Sequence, residues 1–356
     1  MRILIVTDAW DPQINGVVFT LKQTRRELAR MGHLVEILHP GMFRTIPCPS
    51  YREIRLSLLP GGRMASLINA FRPDALHIAT EGPLGLAARR YALKHGMPFT
   101  TAYHTRFPEY IHARTRLPHF VSYRWLRWFH GPAVRTMVPT RSVRNDLIEN
   151  GFDASRIVIW ARGVDLSVFH PRAGDELTDA FRTRQRPVFL YAGRIAVEKN
   201  LPAFLALDLP GEKYVVGDGP ALARLKRQFP DVRFTGAQSH SVLASLYRMA
   251  DVFVFPSRTD TFGLVLLEAM ACGCPVAALP SEATADILRG SGAGVISSGL
   301  RDACLQALEI DRGIPSAHAA GFSWEAASRT FLRHLQPMGG GAAIMRHADG
   351  KPALRQ

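Results

Sequence analysis

The sequence predicts an α/β protein made of two doubly wound parallel-sheet domains. Short apolar runs of strand length alternate with helical segments in both halves of the chain, which is typical of parallel sheets covered by helices. The 356 residues suffice for two domains of ordinary size, and an apolar content of 47% allows each domain its own core. Because the two halves share one strand–helix rhythm, we expect two similar domains that face each other across a cleft.

The first half is predicted to form a domain of residues 1–165. Its helices include residues 19–31 and residues 142–150, the second of which ends at Gly151. Ligand-binding loops are expected at the carboxyl ends of the parallel strands. The predicted strands of this half are residues 3–7, 34–38, 75–78, 99–102, 136–139 and 157–160.

The second half is predicted to form a domain of residues 187–322, joined to the first by a polar linker of residues 166–186. A last helix is expected over residues 323–336, with Ser323 as its N-cap. Residues 337–356 are rich in glycine and polar side chains, and we expect a disordered tail there. The predicted strands of this half are residues 188–191, 213–216, 232–234, 252–255, 276–278 and 294–296.

The chain carries a surplus of 14 positive charges, which favours anionic partners such as phosphorylated substrates, anionic lipid or nucleic acid. Aromatic and basic residues alternate between residues 114 and 135, and a helix there would be typical of contact with an anionic membrane surface. The alternative is a helix that packs between domains and exposes its arginines to solvent. The aromatic face would consist of Val121, Trp125 and Trp128, and the adjoining basic face of Arg124 and Arg127.

The sequence predicts a cytoplasmic protein with reduced thiols. No apolar run approaches the roughly 20 residues of a membrane span, and the run after Met1 is too short for a signal-peptide core. The cysteines are few, and Cys272 and Cys274 lack the second pair that a zinc site needs. No Asp-x-Asp occurs, so we expect no metal ion. All four cysteines are expected to be structural: Cys48, Cys272, Cys274 and Cys304.

The segment of residues 256–273 carries two carboxylates eight positions apart, on either side of a Phe-Gly turn that leads into a predicted helix. Free N–H groups at a helix start attract phosphate and sugar oxygens, and carboxylates accept hydrogen bonds from hydroxyls. The segment therefore suits a sugar nucleotide. In the alternative, the first carboxylate caps the helix and the second is solvated. The residues expected to contact the ligand are Asp260, Phe262, Gly263, Leu264 and Glu268.

A second segment supplies positive charge after the predicted strand of residues 188–191. Arg194 and Lys199 follow the strand end, separated by a short turn. Two cations fixed at a strand end neutralise a diphosphate without a metal ion. The alternative is that both are ordinary surface charges in a loop.

Together, the two segments closely resemble the donor site of retaining glycosyltransferases of family 4, which have the GT-B fold of two Rossmann-like domains. The resemblance covers nearly the whole chain. Gly16 matches the family glycine that lets the backbone approach the donor phosphate, and His104 matches the family's active-site histidine. Residues 217–220 resemble the family's Gly-x-Gly-Pro segment. The resemblance also implies that the helix of residues 323–336 crosses back to the first domain.

The resemblance implies transfer of a hexose from GDP-mannose, a UDP-hexose or a UDP-hexuronate, with retention, to a membrane lipid or cell-envelope glycan. It implies that Arg194, Lys199 and the Gly16 backbone stabilise the leaving diphosphate, and that His104 hydrogen-bonds the donor sugar. Asp260 is expected near the sugar and Glu268 at the ribose. Asp260 stands where the family has glutamate, one methylene longer. The acceptor would enter from the first domain, at the inner face of the plasma membrane.

Three other functions compete with this interpretation. A nucleic-acid-binding protein would explain the charge, but no helix-turn-helix, zinc finger or RNA-binding aromatic signature occurs. A nicotinamide-dependent dehydrogenase would need a Gly-x-Gly-x-x-Gly after a leading strand, and neither half has one. A sugar-nucleotide epimerase or hydrolase on the same fold would share the donor site and differ only in how it uses an acceptor.

Overall fold

The computed structural model describes residues 1–13, 15–48, 51–104, 108, 116, 118–172, 185–260 and 262–338, without the side chains of residues 51–53. The chain divides into two compact units. The first comprises Met1–Val138, Asp146–Trp160 and the described residues from Ser328 on. The second comprises Pro139–Asn145 and Ala161–Ala327. Most of the predicted linker, residues 173–184, and residues 339–356 of the predicted tail lie outside the described part of the chain.

A six-stranded parallel sheet forms the centre of the first unit, in the spatial order β2-β1-β5-β6-β7-β8. Strands β3 and β4 form a separate antiparallel pair. The strands are β1 (Arg2–Val6), β2 (Leu34–Leu38), β3 (Thr45–Cys48), β4 (Tyr51–Ser57), β5 (Ala75–Ile78), β6 (Phe99–Ala102), β7 (Arg135–Val138) and β8 (Ile157–Ile159).

The second unit has the same architecture, with a six-stranded parallel sheet in the spatial order β11-β10-β9-β12-β13-β14. The fold class predicted from the sequence is therefore confirmed. The strands are β9 (Val188–Ala192), β10 (Glu212–Val216), β11 (Arg233–Gly236), β12 (Val252–Phe255), β13 (Val276–Ala278) and β14 (Gly294–Ile296).

Helices alternate with the strands in both units. The last of them begins among residues of the second unit and ends among residues of the first, and Ser323 Oγ caps it by accepting from the Ala326 N–H at 3.1 Å. The helices are α1 (Gly16–Arg30), α2 (Gly61–Phe71), α3 (Pro83–Lys94), α4 (His119–His130), α5 (Arg141–Glu149), α6 (Leu201–Leu205), α7 (Leu222–Gln228), α8 (His240–Met249), α9 (Leu264–Ala271), α10 (Glu282–Leu288), α11 (Leu300–Ala307), α12 (Gly313–Ala319) and α13 (Trp324–His334).

Both faces of each parallel sheet are buried, which explains the continuous apolar runs of the strands. In β9, Val188, Leu190 and Ala192 pack into the core on one side of the second sheet. Phe189 and Tyr191 pack into the core on the other side. Since successive side chains of a strand point to opposite faces, each unit has one core on either side of its sheet.

The antiparallel pair of β3 and β4 is not predicted by the sequence. Pro47 lies within β3, and a proline inside an apolar run argues against a strand in the middle of a sheet. The pair contains only two strands, so both are edge strands and a proline is tolerated.

The chain order of each sheet reverses at one point. In the first unit the chain passes from β1 outward to β2 and then returns to the other side of β1 with β5. In the second unit it passes from β9 to β10 and β11 and then returns beside β9 with β12. Because loops diverge at such a switch point, the carboxyl ends of these strand pairs are where ligands bind in open α/β sheets.

Candidate active site

The loops after β9 and β12 meet at the switch point of the second sheet, and they carry most of the predicted site residues. Contacts between described residues join the two loops. The Lys199 ammonium forms an ion pair with the Asp260 carboxylate. The Thr259 hydroxyl donates to the Glu198 carbonyl at 3.3 Å. The Asn200 side-chain amide donates to the Pro256 carbonyl at 3.2 Å. The structure therefore brings together Lys199 and Asp260, which are 61 positions apart in the chain.

The loop after β9 also packs closely on the loop after β10. The Ile195 N–H donates to the Asp218 carbonyl at 2.8 Å, and the Ala221 N–H donates to the Ile195 carbonyl at 3.0 Å. A Cβ added at Gly217 would lie 1.9 Å from the Gly193 carbonyl oxygen, and Gly217 has a φ of +132°. Only glycine allows this close approach. The Gly-Asp-Gly-Pro segment of the sequence thus supports the loop that carries Arg194.

Arg194 lies directly after Gly193 and is partly buried. Its backbone carbonyl accepts a hydrogen bond from the Tyr191 hydroxyl at 2.9 Å. Burial raises the pKa of Tyr191 well above its ordinary value, and the nearby carboxylates of Asp260 and Glu198 raise it further. The phenol therefore stays protonated at neutral pH and keeps its donor role, which fixes the backbone at Arg194.

Helix α9 begins directly after the loop of Asp260, as the sequence predicts. Its N-cap is Gly263, with a φ of +79°, which supplies no side-chain cap to the first N–H groups of the helix. A Cβ at Gly263 would lie 3.0 Å from Leu266 Cδ1 and 3.2 Å from Phe255 Cζ. Phe262 is buried in the core, and Leu264 is the first helical residue. The turn thus presents backbone groups at the helix start.

Glu268 lies in the second turn of α9 and is only 8% exposed. The Tyr247 hydroxyl, on α8, donates to Glu268 Oε2 at 3.2 Å. Burial raises the pKa of Glu268 to about 7, and the hydrogen bond from Tyr247 opposes this effect. The alternative of a solvated helical glutamate is therefore wrong. A simple helix-capping role for Asp260 does not account for its ion pair with Lys199 either.

Gly16 is the first residue of α1 in the first unit. The helix begins three residues earlier than the sequence predicts, because Asn15 caps it. Asn15 Oδ1 accepts from the N–H groups of Val17 and Val18, both at 3.0 Å. A strong cap of this kind sets the helix start independently of the apolar pattern. Gly16 therefore belongs to a helix N-terminus and not to the preceding loop.

His104 follows the carboxyl end of β6 in the first unit and is buried. Its imidazole packs edge-on against Trp160, with 5.8 Å between ring centroids. The residues that follow it, 105–107, lie outside the described part of the chain. The position after a strand end is the one predicted from the sequence.

Two residues that sequence reasoning missed support the switch points. Asp8, after β1, accepts hydrogen bonds from the N–H groups of Leu84 at 2.8 Å and Gly85 at 3.2 Å and from the Thr80 hydroxyl at 2.9 Å. It thereby caps α3 from another loop. Tyr247, which holds Glu268, lies on a separate helix 21 positions away. Asp8 could have been identified from the sequence, because it is a carboxylate close after the first strand. No local sequence pattern distinguishes Tyr247 from other core residues.

Within the residues that the structure describes, no helix is long and apolar enough to cross a membrane. The same residues contain no group of three or more His, Cys, Asp or Glu side chains that could hold a metal ion.

Two family models match the chain, one in each half. Residues 14–168 match the model of Glycosyltransferase Family 4, and residues 186–309 match the model of Glycosyl transferases group 1.

Curated relatives match over most of the chain. A GDP-mannose-dependent alpha-mannosyltransferase of Mycobacterium tuberculosis is 31% identical over 318 residues, which are 83% of each protein. A sulfoquinovosyl transferase of Arabidopsis thaliana is 34% identical over 259 residues, which are 69% of this chain and 50% of that protein. An alpha-monoglucosyldiacylglycerol synthase of Streptococcus pneumoniae is 28% identical over 78% of this chain and 71% of its own.

Solved structures share the fold over nearly the full length. Sucrose-phosphate synthase of Thermosynechococcus elongatus superimposes with a TM-score of 0.77 at 20% identity, over 93% of this chain and 97% of its own. HepE of Anabaena, solved with UDP and glucose, superimposes with a TM-score of 0.68 at 15% identity, over 94% of this chain and 98% of its own. Each half of the chain has a doubly wound sheet and matches a glycosyltransferase family model. This chain therefore belongs to glycosyltransferase family 4 and has the GT-B fold.

Proposed function

We propose that the protein is a retaining, metal-independent hexosyltransferase that moves a sugar from a nucleoside diphosphate to a membrane lipid or cell-envelope glycan. The observation that carries this proposal is the switch point of the second sheet, where Lys199 and Asp260 meet at the ends of β9 and β12. A diphosphate sugar needs fixed cations for its phosphates and carboxylates for its hydroxyls, and this site has both.

The proposed reaction breaks the bond between the anomeric carbon of the donor sugar and the β-phosphate oxygen. The electron pair of that bond goes to the phosphate, and an acceptor hydroxyl oxygen forms the new bond on the same face, giving its proton to the leaving phosphate oxygen. Arg194 and Lys199 would stabilise the charge that develops on the leaving phosphate. Gly16, at the α1 N-terminus, would offer its backbone to the same phosphate, and His104 would hydrogen-bond the donor sugar.

The two carboxylates have separate proposed roles. Glu268, buried and held by Tyr247, would accept hydrogen bonds from the ribose hydroxyls. Asp260 would lie nearer the transferred sugar. One of its oxygens contacts Lys199, and the other, Oδ2, is buried and has no hydrogen-bond partner among the described residues. A buried oxygen of this kind has capacity for one sugar hydroxyl.

The names of the relatives support GDP-mannose as the donor and a lipid as the acceptor. The mannosyltransferase of Mycobacterium tuberculosis is named for GDP-mannose, and the relative from Streptococcus pneumoniae is named for a glucosyl diacylglycerol. A second protein of Mycobacterium tuberculosis, 25% identical over 95% of this chain, is named for a phosphatidylinositol dimannoside. A UDP-hexose or UDP-hexuronate is the second donor candidate.

We further propose that the enzyme works in the cytoplasm, peripherally at the inner face of the plasma membrane, through α4. The helix exposes Phe120 at 70% and Trp128 at 53%, and Arg124 lies on the same exposed surface. Aromatic rings beside cations are typical of helices that lie in a lipid interface. Arg127 also donates to the Asn150 carbonyl at 3.1 Å, so part of its hydrogen-bonding capacity stabilises the loop after α5.

A panel of donors tests the proposed function. The purified protein is incubated with GDP-mannose, UDP-glucose, UDP-galactose and UDP-glucuronate, with and without a bacterial lipid extract, and the released nucleoside diphosphate is measured. We expect one donor to be turned over, with lipid extract accelerating release and a labelled sugar appearing in the lipid fraction. Turnover that lipid never accelerates, with free sugar or an epimerised nucleotide sugar as product, would favour the hydrolase or epimerase alternative.

A further inference from the structure

The ion pair between Lys199 and Asp260 lies within the proposed diphosphate site. The two side chains are 20% and 16% exposed, so both are largely shielded from water. Lys199 Nζ donates to Asp260 Oδ1. The cation that is proposed to receive a phosphate is therefore already paired with a carboxylate.

The backbone around this pair is fixed on both sides. Lys199 ends a 3₁₀ turn, Val197–Lys199, and Asn200 after it has a left-handed φ of +54°. The Asn200 side chain donates to the Pro256 carbonyl, and Thr259 donates to the Glu198 carbonyl. Because both loops are held by these contacts, the ammonium group is fixed by Asp260 at its tip and by the turn at its base.

A carboxylate in this place has two electrostatic effects on a bound diphosphate. It neutralises part of the Lys199 charge, and it adds a negative charge beside the negative phosphates. Both effects weaken phosphate binding, and they are larger in a site shielded from water than on an open surface. The same carboxylate also holds the ammonium in one position, which favours a cation ready for the transition state.

We propose that Asp260 is a positioning residue for Lys199, which fixes the ammonium group and, by sharing it, weakens the enzyme's hold on the nucleoside diphosphate product. The inference rests on the proposed function of the site. After transfer the product diphosphate carries more negative charge than the donor had. A fully available Lys199 would then bind the product tightly and slow its release, a step that limits turnover in many enzymes.

The experiment measures the affinities of UDP and GDP for the full chain by isothermal titration calorimetry. Asp260→Asn keeps an oxygen that accepts from Lys199 but removes the negative charge. We expect the nucleoside diphosphate that the enzyme prefers to bind about three- to tenfold more tightly to Asp260→Asn, while the rate of sugar transfer falls. Asp260→Ala removes both the group that positions Lys199 and the negative charge. This variant should therefore bind the nucleoside diphosphate more weakly than Asp260→Asn does.

A double-mutant cycle assigns the effect to Lys199. In the Lys199→Ala background, Asp260→Asn should tighten nucleotide binding by a smaller factor than it does in the wild type, because the cation that the carboxylate shares is gone and only its direct repulsion of the phosphates remains. Glu198→Gln removes one negative charge from the adjoining position without touching the pair, and it should change affinity less than Asp260→Asn does. Asp260→Glu restores the charge and should bind the nucleotide as the wild type does. Melting curves establish that each variant is folded.

One set of outcomes would contradict the role of Asp260, and another would contradict the proposed function of the site. If Asp260→Asn binds both nucleotides as the wild type does or more weakly, or tightens binding equally without Lys199, the inference is overturned. If the wild type binds neither UDP nor GDP, the proposed function falls and the inference falls with it.

Discussion

Arg194 and Lys199 carry the positive charge of the proposed diphosphate site. We expect Arg194→Ala and Lys199→Ala each to lower kcat/KM by about 30- to 1000-fold, which corresponds to about 2 to 4 kcal/mol of transition-state stabilisation. Lys226→Ala, on the exposed face of α7, is the matched control and should leave kcat/KM unchanged. Lys199→Ala also deprives Asp260 of its ion pair, so its melting temperature must be measured beside its kinetics. Near-normal turnover in both variants would contradict the assignment of Arg194 and Lys199 to the diphosphate site.

The two cations also lead to a prediction about metal ions. If Arg194 and Lys199 take the place of magnesium, transfer should proceed at its full rate in excess EDTA. The measurement compares initial rates after dialysis against EDTA with rates after magnesium or manganese is added back. Activity that disappears with EDTA and returns with either metal would contradict the prediction.

Glu268 should make donor binding depend on pH near neutrality. Burial raises its pKa to about 7, and the proposed role needs the ionised form, which accepts hydrogen bonds from the ribose. The donor KM should therefore rise by about tenfold between pH 8 and pH 6, as the carboxylate takes up a proton. Glu268→Gln cannot titrate, so its donor KM should be higher at pH 8 and flat over this range. A wild-type KM that does not change with pH would exclude the ribose role.

The same pKa shift has the opposite consequence for stability in the absence of donor. Because the folded-state pKa of Glu268 lies above its ordinary value of 4.5, the folded protein binds more protons than the unfolded chain between these values. The contribution of this site to the free energy of unfolding is therefore fully present below about pH 4.5 and is lost as the pH rises through about 7. Donor binding and unliganded stability thus respond to pH in opposite directions at one residue.

The sequence identifies the charged groups of the site, but it does not identify their partners. Asp260 and Lys199 are found by their place after strand ends, and the adjacency of β9 and β12 then brings them together. The pairing itself depends on side-chain reach, which a motif does not contain. Tyr247 could not be predicted as the partner of Glu268, because a buried tyrosine on a helix has the same sequence pattern as any core residue.

At the scale of elements, the predicted strands of both sheets are present, and their bounds differ from the prediction by two residues at most, as at residues 232–234 against Arg233–Gly236. Burial on both faces makes a strand apolar throughout, and such runs are the clearest signal in an α/β sequence. Features that depend on single polar contacts were missed or misplaced. The start of α1 depends on the Asn15 side chain, and the start of α3 depends on Asp8, which lies 76 positions before Leu84.

The cap of α3 gives a prediction about stability. Asp8→Ala removes the acceptor for three donors, and it should lower the free energy of unfolding by about 2 to 4 kcal/mol, since buried donors without partners are costly. Asp11→Ala is the matched control, only three positions away. Asp11 is 57% exposed and pairs with Lys22, so its loss should cost about 1 kcal/mol or less. Urea unfolding followed by circular dichroism measures both. Equal effects would show that the cap does not stabilise α3.

At the scale of the whole molecule, the two-sheet architecture and the family follow from the sequence, whereas the division of the chain into units does not. Residues 139–145 belong by their contacts to the second unit, although residues 146–160, which follow them in the chain, belong to the first unit. α13 begins with residues of one unit and ends with residues of the other, as the family resemblance implies but the local sequence pattern does not. Which unit a segment packs against depends on tertiary contacts, and the local strand–helix rhythm contains no information about them.

The positive charge of the whole molecule and the exposed face of α4 lead to a prediction about membranes. Each basic residue near an anionic surface contributes roughly 1 kcal/mol, and this attraction falls off within about 10 Å at ordinary salt. With 14 more basic than acidic residues, and with Phe120 and Trp128 exposed, the protein should sediment with anionic vesicles, bind neutral ones weakly, and be released by high salt.

Arg124→Glu tests whether α4 is the contact surface, and Arg224→Glu, on the exposed side of α7, makes the same charge change elsewhere. Arg124 is a better choice than Arg127, which also binds the Asn150 carbonyl. Arg124→Glu should weaken vesicle binding and slow transfer to a lipid acceptor, while donor hydrolysis in solution stays at the wild-type rate. Arg224→Glu should retain both binding and transfer. If both substitutions weaken binding equally, net charge alone attracts the protein to the membrane. If the wild type ignores anionic vesicles at low salt, a carrier-borne or soluble acceptor replaces the membrane lipid in the proposal.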